Sequence, residues 1–527
     1  MSLSFHLSSR MPSTSKLPSH CGGPEVGITD LGAAEADGSD GEPPAVPATK
    51  RVIVVGAGIS GLRAAATLLR HGVEVVVLEA RDRIGGRVLT RRDEHGGVRD
   101  IGAAWMHETS QNKMVKLITK LGIEYYYDDG APLFYTEQGR AGAQFKAKKV
   151  ADEFADYVAW YYETNPDAED RPADEFMREF VENHELISED ERAWAPQAFR
   201  EVELWLGTST KMASSKHLSY FITERNLYMK GGYDKIVDWT AKPLLATPGI
   251  VRLNQFVKEV NWNETGSHPL SVLCTDSTNA PLTVTGDAIV MTVPLGAYHH
   301  NLISFQPPLP EDIQHGISRF SYGALGKVFF EFSEIFWSKD NDQFIYYPSP
   351  PEESQYGSST SSHGSSMSTR ALADNILAYP TVTINLWIMT SSKQLCVQIA
   401  EPLTQRIEAM TDEKEIYRFF EPLFKLLRTE PYKALPRLLS VETTRWTQDP
   451  LAGYGTYSAD KVGDEPDMLI EALENHKTSR LQFAGEHCTL VGNGCVHGAF
   501  ATGETAAKNL LDNFGIPFDG GDIASLN

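Results

Sequence analysis

Cysteine is scarce: the 527 residues hold five, at positions 21, 274, 396, 488 and 495. The number is odd and no pair has C-x-x-C spacing. Neither a disulfide framework nor a zinc site is expected, and a reducing compartment is the default. Long apolar runs are missing too. None reaches the ~18 residues that suggest a membrane span, and the N-terminus lacks the apolar core of a secretory signal. Positive charge is the third shortage. Lys and Arg total 48 against 70 Asp and Glu, a formal net charge of −22. That balance disfavours nucleic acid and anionic membranes and would attract cations, although acidity also serves simply to keep a protein dispersed. The chain ends Ala-Ser-Leu-Asn without a Ser-Lys-Leu peroxisomal address, so cytoplasmic or other intracellular residence is expected.

What is present reads as a soluble globular protein of two or three domains, 41% hydrophobic and 22% charged. Residues 1–49 are rich in Ser, Pro, Gly and Ala and read as a disordered tail; the first 24 or so, with a few bases and no acid, carry a faint transit-peptide pattern. SPPEESQYGSSTSSHGSSMSTR, residues 349–370, is low-complexity and reads as a disordered surface loop. No internal repeat is visible.

The most informative stretch is RVIVVGAGISGLRAAATLLRHGVEVVVLEARDRIGGR, residues 51–87. A β-branched run predicts a buried parallel strand, Ile59 to Arg70 a helix, and Glu74 to Leu78 a second strand. Gly56, Gly58 and Gly61 have G-x-G-x-x-G spacing: a tight turn, close backbone approach to a pyrophosphate, and close packing of helix on strand. Free N–H groups at the helix start favour phosphate, and Glu79 is placed to accept ribose hydroxyls. A second basic, Gly-rich turn follows. Arg81 and Arg87 could neutralise phosphates from the other side, while Gly85 and Gly86 keep the backbone open. A nicotinamide enzyme has no need of that second clamp.

From EARDRIGGR onward the chain resembles the flavin-dependent amine oxidase superfamily, which includes monoamine oxidases, polyamine oxidases, L-amino-acid oxidases and flavin histone demethylases. Further matches span most of residues 50–512: DIGAAWMHE (100–108), YMKGGYDKIVDW (228–239), DAIVMTVPLGAY (287–298), YGALGKVFFEF (322–332) and LQFAGEHCTLVGNGCVHGAFATGETAA (481–507). IVRLNQFVKEVNW, after the second of these, reads as paired strands. The resemblance implies an α/β fold, with a discontinuous Rossmann-like FAD-binding domain (50–135, 230–300 and 440–512) and a mixed-sheet plus helical substrate-binding domain (136–229 and 301–439), followed by a tail at 513–527. It assigns FAD binding to Gly56, Gly58, Ile59, Ser60, Gly61, Glu79, Ala80, Arg81, Gly86, Arg87, Gly102, Ala103, Ala104, Trp105, Val257, Trp446, Gly485, Glu486, Cys495 and Val496. A helix beginning near Val496 would aim its N-terminus at the flavin. No metal is implied.

Within the superfamily, the pair DIGAAWMHE and GNGCVHGA looks most like polyamine oxidases of the yeast type. Three residues are then assigned to catalysis. Lys327 matches the lysine that holds a water at flavin N5, although a lone Lys on a predicted strand can also sit at a solvent edge. His107, next to the flavin-lining Gly-Ala pair, would bond the substrate amine or keep it neutral. Tyr454 would be one ring of a cage whose second ring, in monoamine oxidases, stands where this chain has Cys495. Those enzymes link their flavin through a Cys just before the tyrosine; here that residue is Gly453, so FAD is expected to be non-covalent. His487 and His497 are expected to pack or cap. The implied reaction is hydride transfer from the α-carbon of an uncharged amine to flavin, giving an imine, then aldehyde plus amine, with O2 reduced to H2O2. The substrate expectation is a polyamine or similar long-chain amine, with Glu108, Asp128 and Asp129 as pocket acids. An oxidase of aliphatic primary amines or amine-bearing secondary metabolites is the alternative, and a binding-only flavoprotein the reading from another class.

Overall fold

The computed structural model of the chain describes residues 49–93, 97–142, 145–220, 225–263, 268–351 and 373–520. All but the last residue of the expected N-terminal tail, and most of the expected loop 349–370, lie outside the described residues. A five-stranded parallel sheet carries the opening motif. Its order is Val251–Arg252, Glu74–Leu78, Arg51–Val55, Ala288–Met291, Leu481–Phe483. Both faces are covered, which is why these strands read as unbroken apolar runs rather than alternating ones. Val52, Val54, Val75, Val77 and Val290 point to a helical layer that includes Ile59–Arg70, Asp234–Leu245 and Val496–Phe514. Ile53, Val76, Ile289 and Met291 point the other way, onto Val260, Val272 and Val284 of a four-stranded sheet.

The expected pairing within residues 250–262 does not occur. Val251–Arg252 joins the parallel sheet beside Glu74–Leu78, whereas Phe256–Asn261 pairs with Leu270–Thr275 in the four-stranded sheet. A short break separates two strands that serve different layers.

The second body is a seven-stranded mixed sheet ordered Leu438–Thr443, Leu325–Phe332, Gln394–Ala400, Thr381–Asn385, Gln343–Tyr346, Leu133–Thr136, Gly139–Arg140. Alternation along Leu325–Phe332 decides what faces what. Val328, Phe330 and Phe332 pack on the amphipathic helix Glu413–Leu426 through Phe420, Leu423 and Phe424; truncating a buried Phe of this kind typically costs about 3–5 kcal/mol. Lys327 and Phe329 take the opposite face, toward the helices Ala147–Thr164, Ala173–Asn183 and Glu189–Phe199.

Three expected boundaries shift. Leu133–Thr136 and Leu438–Thr443 straddle the expected edges of the cofactor domain but pair into the substrate-side sheet. The C-terminal helix continues to Phe514, and the expected tail beyond it is docked up to residue 520: Phe518 stacks on His71 at 5.5 Å and Asp519 pairs with His71 and Arg70. Among the described residues no helix is long and apolar enough to cross a membrane.

Candidate active site

A cavity of about 1310 Å³ runs from the carboxyl ends of the parallel strands to the Lys327 face of the seven-stranded sheet. Of the residues assigned to cofactor or catalysis, Gly61 and Tyr454 alone do not line it. Gly61 is excluded for the reason its spacing implied: a Cβ there would come within 2.1 Å of the Gly56 carbonyl oxygen, so helix and strand approach as closely as they do because it has none.

At the strand end the parts suit a dinucleotide. The helix Ile59–Arg70 starts on Gly58 with no side-chain cap, leaving its first N–H groups to the cavity. A Cβ built on Gly58 would meet nothing within 4 Å, because that position opens onto the cavity. Glu79 is buried, and its carboxylate is oriented by two backbone donors, Ala57 N at 2.7 Å and Arg81 N at 2.8 Å. The second Gly-rich turn is stitched to the first by the Gly85 N–H, which donates to the Ala57 carbonyl at 2.8 Å. The two arginines, however, are already matched. Arg81 pairs with Asp449 at 2.7 Å. Arg87 donates to Glu486 at 2.8 Å, to the Thr456 carbonyl and to the Tyr322 hydroxyl. Burial works against ionising Glu486, yet the Arg87 charge outweighs it, with help from His487 and Ser458, and holds this carboxyl below its usual range. Little unbalanced positive charge therefore remains on these guanidiniums for phosphates, and the helix end carries most of that attraction.

At the other end, Lys327 is buried at 7% exposure. Its Nζ donates to the backbone carbonyls of Gly102 at 2.6 Å and Asp100 at 3.0 Å, and lies 5.3 Å from the Trp105 ring centroid. Burial lowers its pKa, with only partial opposition from Cys396 and Asp100. Two of three ammonium protons are thus committed, and the third is available to a water or ligand. His107 Nδ1 bonds Asn226 Oδ1 at 2.8 Å, and burial lowers its pKa despite that bond. An amide oxygen can only accept, so Nδ1 carries the proton and Nε2 offers its lone pair. The next residue, Glu108, holds a left-handed φ of 53°, uncommon for a non-glycine. Its carbonyl accepts the Gln111 and Asn112 N–H groups, and Asn112 Nδ2 in turn holds the His107 carbonyl at 3.0 Å.

Glu108 and Asp128 both line the cavity. Glu108 faces His497 Nε2 at 3.2 Å, so His497, expected to pack or cap, packs against a cavity acid. Burial pushes the Asp128 carboxyl up to about 6, against the hydrogen bond that Gln343 donates at 2.6 Å. Asp129 turns away to the surface, where it pairs with Arg225 at 2.5 Å.

Tyr454 is a correction. Gly453 and Tyr454 both have positive φ, 74° and 59°. This turn leaves Tyr454 42% exposed with its ring 4.7 Å from that of His300. The chain then re-enters, Tyr457–Ser458 pairs with Tyr322–Gly323, and Tyr457 lines the cavity. Its ring packs at Gly494, beside Cys495, and its hydroxyl donates to the Trp205 carbonyl at 2.7 Å. The residue just before the cavity tyrosine is Thr456, not Gly453. Two tyrosines three residues apart look alike in sequence; only the turn separates them. Asn226, Gln343 and Asp449 were also missed. Each acts on a residue more than a hundred positions away, although Asn226 lies two residues before the YMKGGYDK match and could have been weighed with it.

The family profile described as flavin containing amine oxidoreductase matches residues 59–511. A corticosteroid-binding protein of Candida albicans is 28% identical over 88% of this chain and 96% of its own length. Polyamine oxidase 4 of Oryza sativa subsp. japonica is 29% identical over 88% and 90%. The peroxisomal N(1)-acetyl-spermine/spermidine oxidase of Bos taurus is 27% identical over 88% and 94%. A putrescine oxidase solved with putrescine shares the fold, with a TM-score of 0.62 at 18% identity over 88% of this chain and 99% of that one. The chain belongs to the family of flavin-containing amine oxidoreductases.

Proposed function

We propose that the chain is an oxidase of polyamines or similar long-chain amines that holds FAD without a covalent bond. The observation that carries this reading is the continuity of one cavity, from the Gly58–Glu79 cradle to an end holding Lys327, His107 and two carboxylates. The cradle fits a dinucleotide and the second Gly-rich turn favours FAD. FAD, when bound, would supply the two-electron oxidation of the amine at its α-carbon. This chain's residues do the rest. Apolar walls exclude water and lower the amine's pKa. His107 Nε2, kept unprotonated by burial, accepts a hydrogen bond or proton from the reacting nitrogen. Asp128 and Glu108 hold ammonium groups that stay charged. Lys327, fixed by two carbonyls, presents a donor and a positive charge where oxygen is reduced. A covalent flavin link has no activated thiol to use. Thr456 precedes the cavity tyrosine, and burial pushes the Cys495 thiol up to about 12, leaving it a poor nucleophile.

The name of the Candida relative raises a second reading, binding without turnover. Lys327 and His107, both buried and both oriented in the cavity, favour turnover. Peroxide release from the full chain, assayed across spermine, spermidine, acetylated spermine, putrescine and alkyl monoamines, tests the assignment. Peroxide with polyamines supports it; peroxide with monoamines alone moves the chain to the alternative substrate class, and none with any amine sinks the oxidase reading.

A further inference from the structure

Asp460 lines the cavity on the wall it shares with Trp205, Tyr457 and Ala459, and is only 4% exposed. Its Oδ1 accepts no hydrogen bond from any described residue. The nearest cationic candidate, His217 Nδ1, stands at 3.9 Å, beyond hydrogen-bond reach. The neighbouring charges make this omission unusual. Asp464 accepts from the Ser321 and Lys461 N–H groups, and Asp170 from those of Arg171, Lys216 and Gly463. Lys461, next in sequence, turns away to pair with Glu401 at 2.6 Å. Burial first, and then Asp464, Asp467 and Asp170, push this carboxyl up to about 7; its ionised form is costly here unless a positive charge is brought to it.

Its place along the cavity says what could. Leu325 N donates to Thr456 Oγ1 and Ala459 N to the Ser321 carbonyl, so residues 456–459 run alongside residues 325–321. Asp460 therefore lies beyond Ser321, at the far end of an extended run from Lys327 that spans at most roughly 20 Å. Trp205 and Tyr457 line the same cavity, and their rings are surfaces that suit an alkyl chain and a passing cation.

We propose that Asp460 is a distal anchor for the free terminal ammonium group of a long amine whose reacting nitrogen lies at the His107–Lys327 end. This rests on the polyamine reading of the same cavity. It makes Asp460 a specificity-determining residue: it selects long amines with a charged far end over those whose far end is neutral.

The test compares wild type, Asp460→Asn and Asp460→Glu as flavin-loaded full chains. Flavin content and Tm report the fold, and peroxide release is followed with spermine and with a straight-chain monoamine. Asp460→Asn is expected to raise the KM for spermine with little change in kcat, lowering the spermine-to-monoamine ratio of kcat/KM roughly tenfold, and Asp460→Glu to recover part of it. If Asp460→Asn does not fold, wild type alone decides: acylating both terminal amines of spermine removes the distal charge in either binding orientation and should cost a similar factor. An unchanged ratio in the folded variant, or an acylated substrate as good as spermine, overturns the anchor while leaving the polyamine reading intact. A wild-type enzyme that turns over monoamines but no polyamine removes that reading and the anchor with it.

Discussion

The His107 ring turns Nδ1 toward Asn226, 2.8 Å from the amide oxygen, which leaves Nε2 without its proton and available to substrate. Asn226→Asp would place a carboxylate where the neutral amide stands. The imidazolium would then be favoured, and the His107 pKa would rise by roughly one unit or more. If His107 acts as the proposed acceptor, its unprotonated ring is the active form, and the acid limb of the kcat/KM–pH profile should move to higher pH by the same amount. A limb that stays where it is would remove His107 as the acceptor.

Lys327 is tied to two carbonyls by its Nζ, so its charge is positioned rather than free to wander. Lys327→Met keeps the strand's packing volume but removes that charge. Flavin content should be retained, while stopped-flow reoxidation by oxygen should slow by roughly a hundredfold. Reoxidation at the wild-type rate would show that the cation serves only the fold.

Thr456 before Tyr457, and the high-pKa thiol of Cys495, favour the proposed non-covalent flavin. Acid precipitation should therefore give a colourless pellet and a yellow supernatant whose chromatographic mobility is that of authentic FAD. Colour retained in the pellet contradicts non-covalent binding, and a supernatant carrying FMN contradicts the choice of FAD.

Asp128, pushed up to about 6 by burial, can serve as the proposed ammonium partner only when ionised. The KM for a polyamine should rise as pH falls through about 6, and Asp128→Asn should reproduce that loss at pH 7.5, by roughly ten- to a hundredfold. The stability effect has the opposite sign. A carboxyl whose folded pKa lies above its ordinary 3.8 favours the folded state below that value, and this contribution is lost as pH rises through 6. Thermal unfolding of wild type and Asp128→Asn should therefore differ most above pH 6, with the variant the more stable. A Tm difference independent of pH would show that Asp128 does not titrate in this range.

Much of the site was legible because it is built from local rules. The Gly56–Gly61 turn, the helix Ile59–Arg70 and Glu79 belong to a continuous stretch in which strand, turn and helix each impose residue types on their own neighbours. Lys327 was legible only through the GALGKV match; its spacing alone favoured a strand-edge lysine facing solvent, and its burial was decided by the packing of the seven-stranded sheet.

Other features left no local trace. Nothing in DPLAGYGTY says which tyrosine turns inward; that depends on Gly453 and Tyr454 both adopting positive φ and on Tyr457–Ser458 pairing with Tyr322–Gly323. The Arg81 charge looked available until Asp449, 368 positions further on, was seen to balance it.

The sequence by itself determined the dinucleotide cradle, the family, and which residue types stand at the reacting end. Periodicity and spacing act over a few residues, and both are written along the chain. Tertiary structure decided the rest: the proton on His107, the pairing of both arginines, the exchange of Tyr454 for Tyr457 and the unpaired oxygen of Asp460. Each depends on distance or burial among groups brought together from remote segments, and neither quantity exists until the layers have packed.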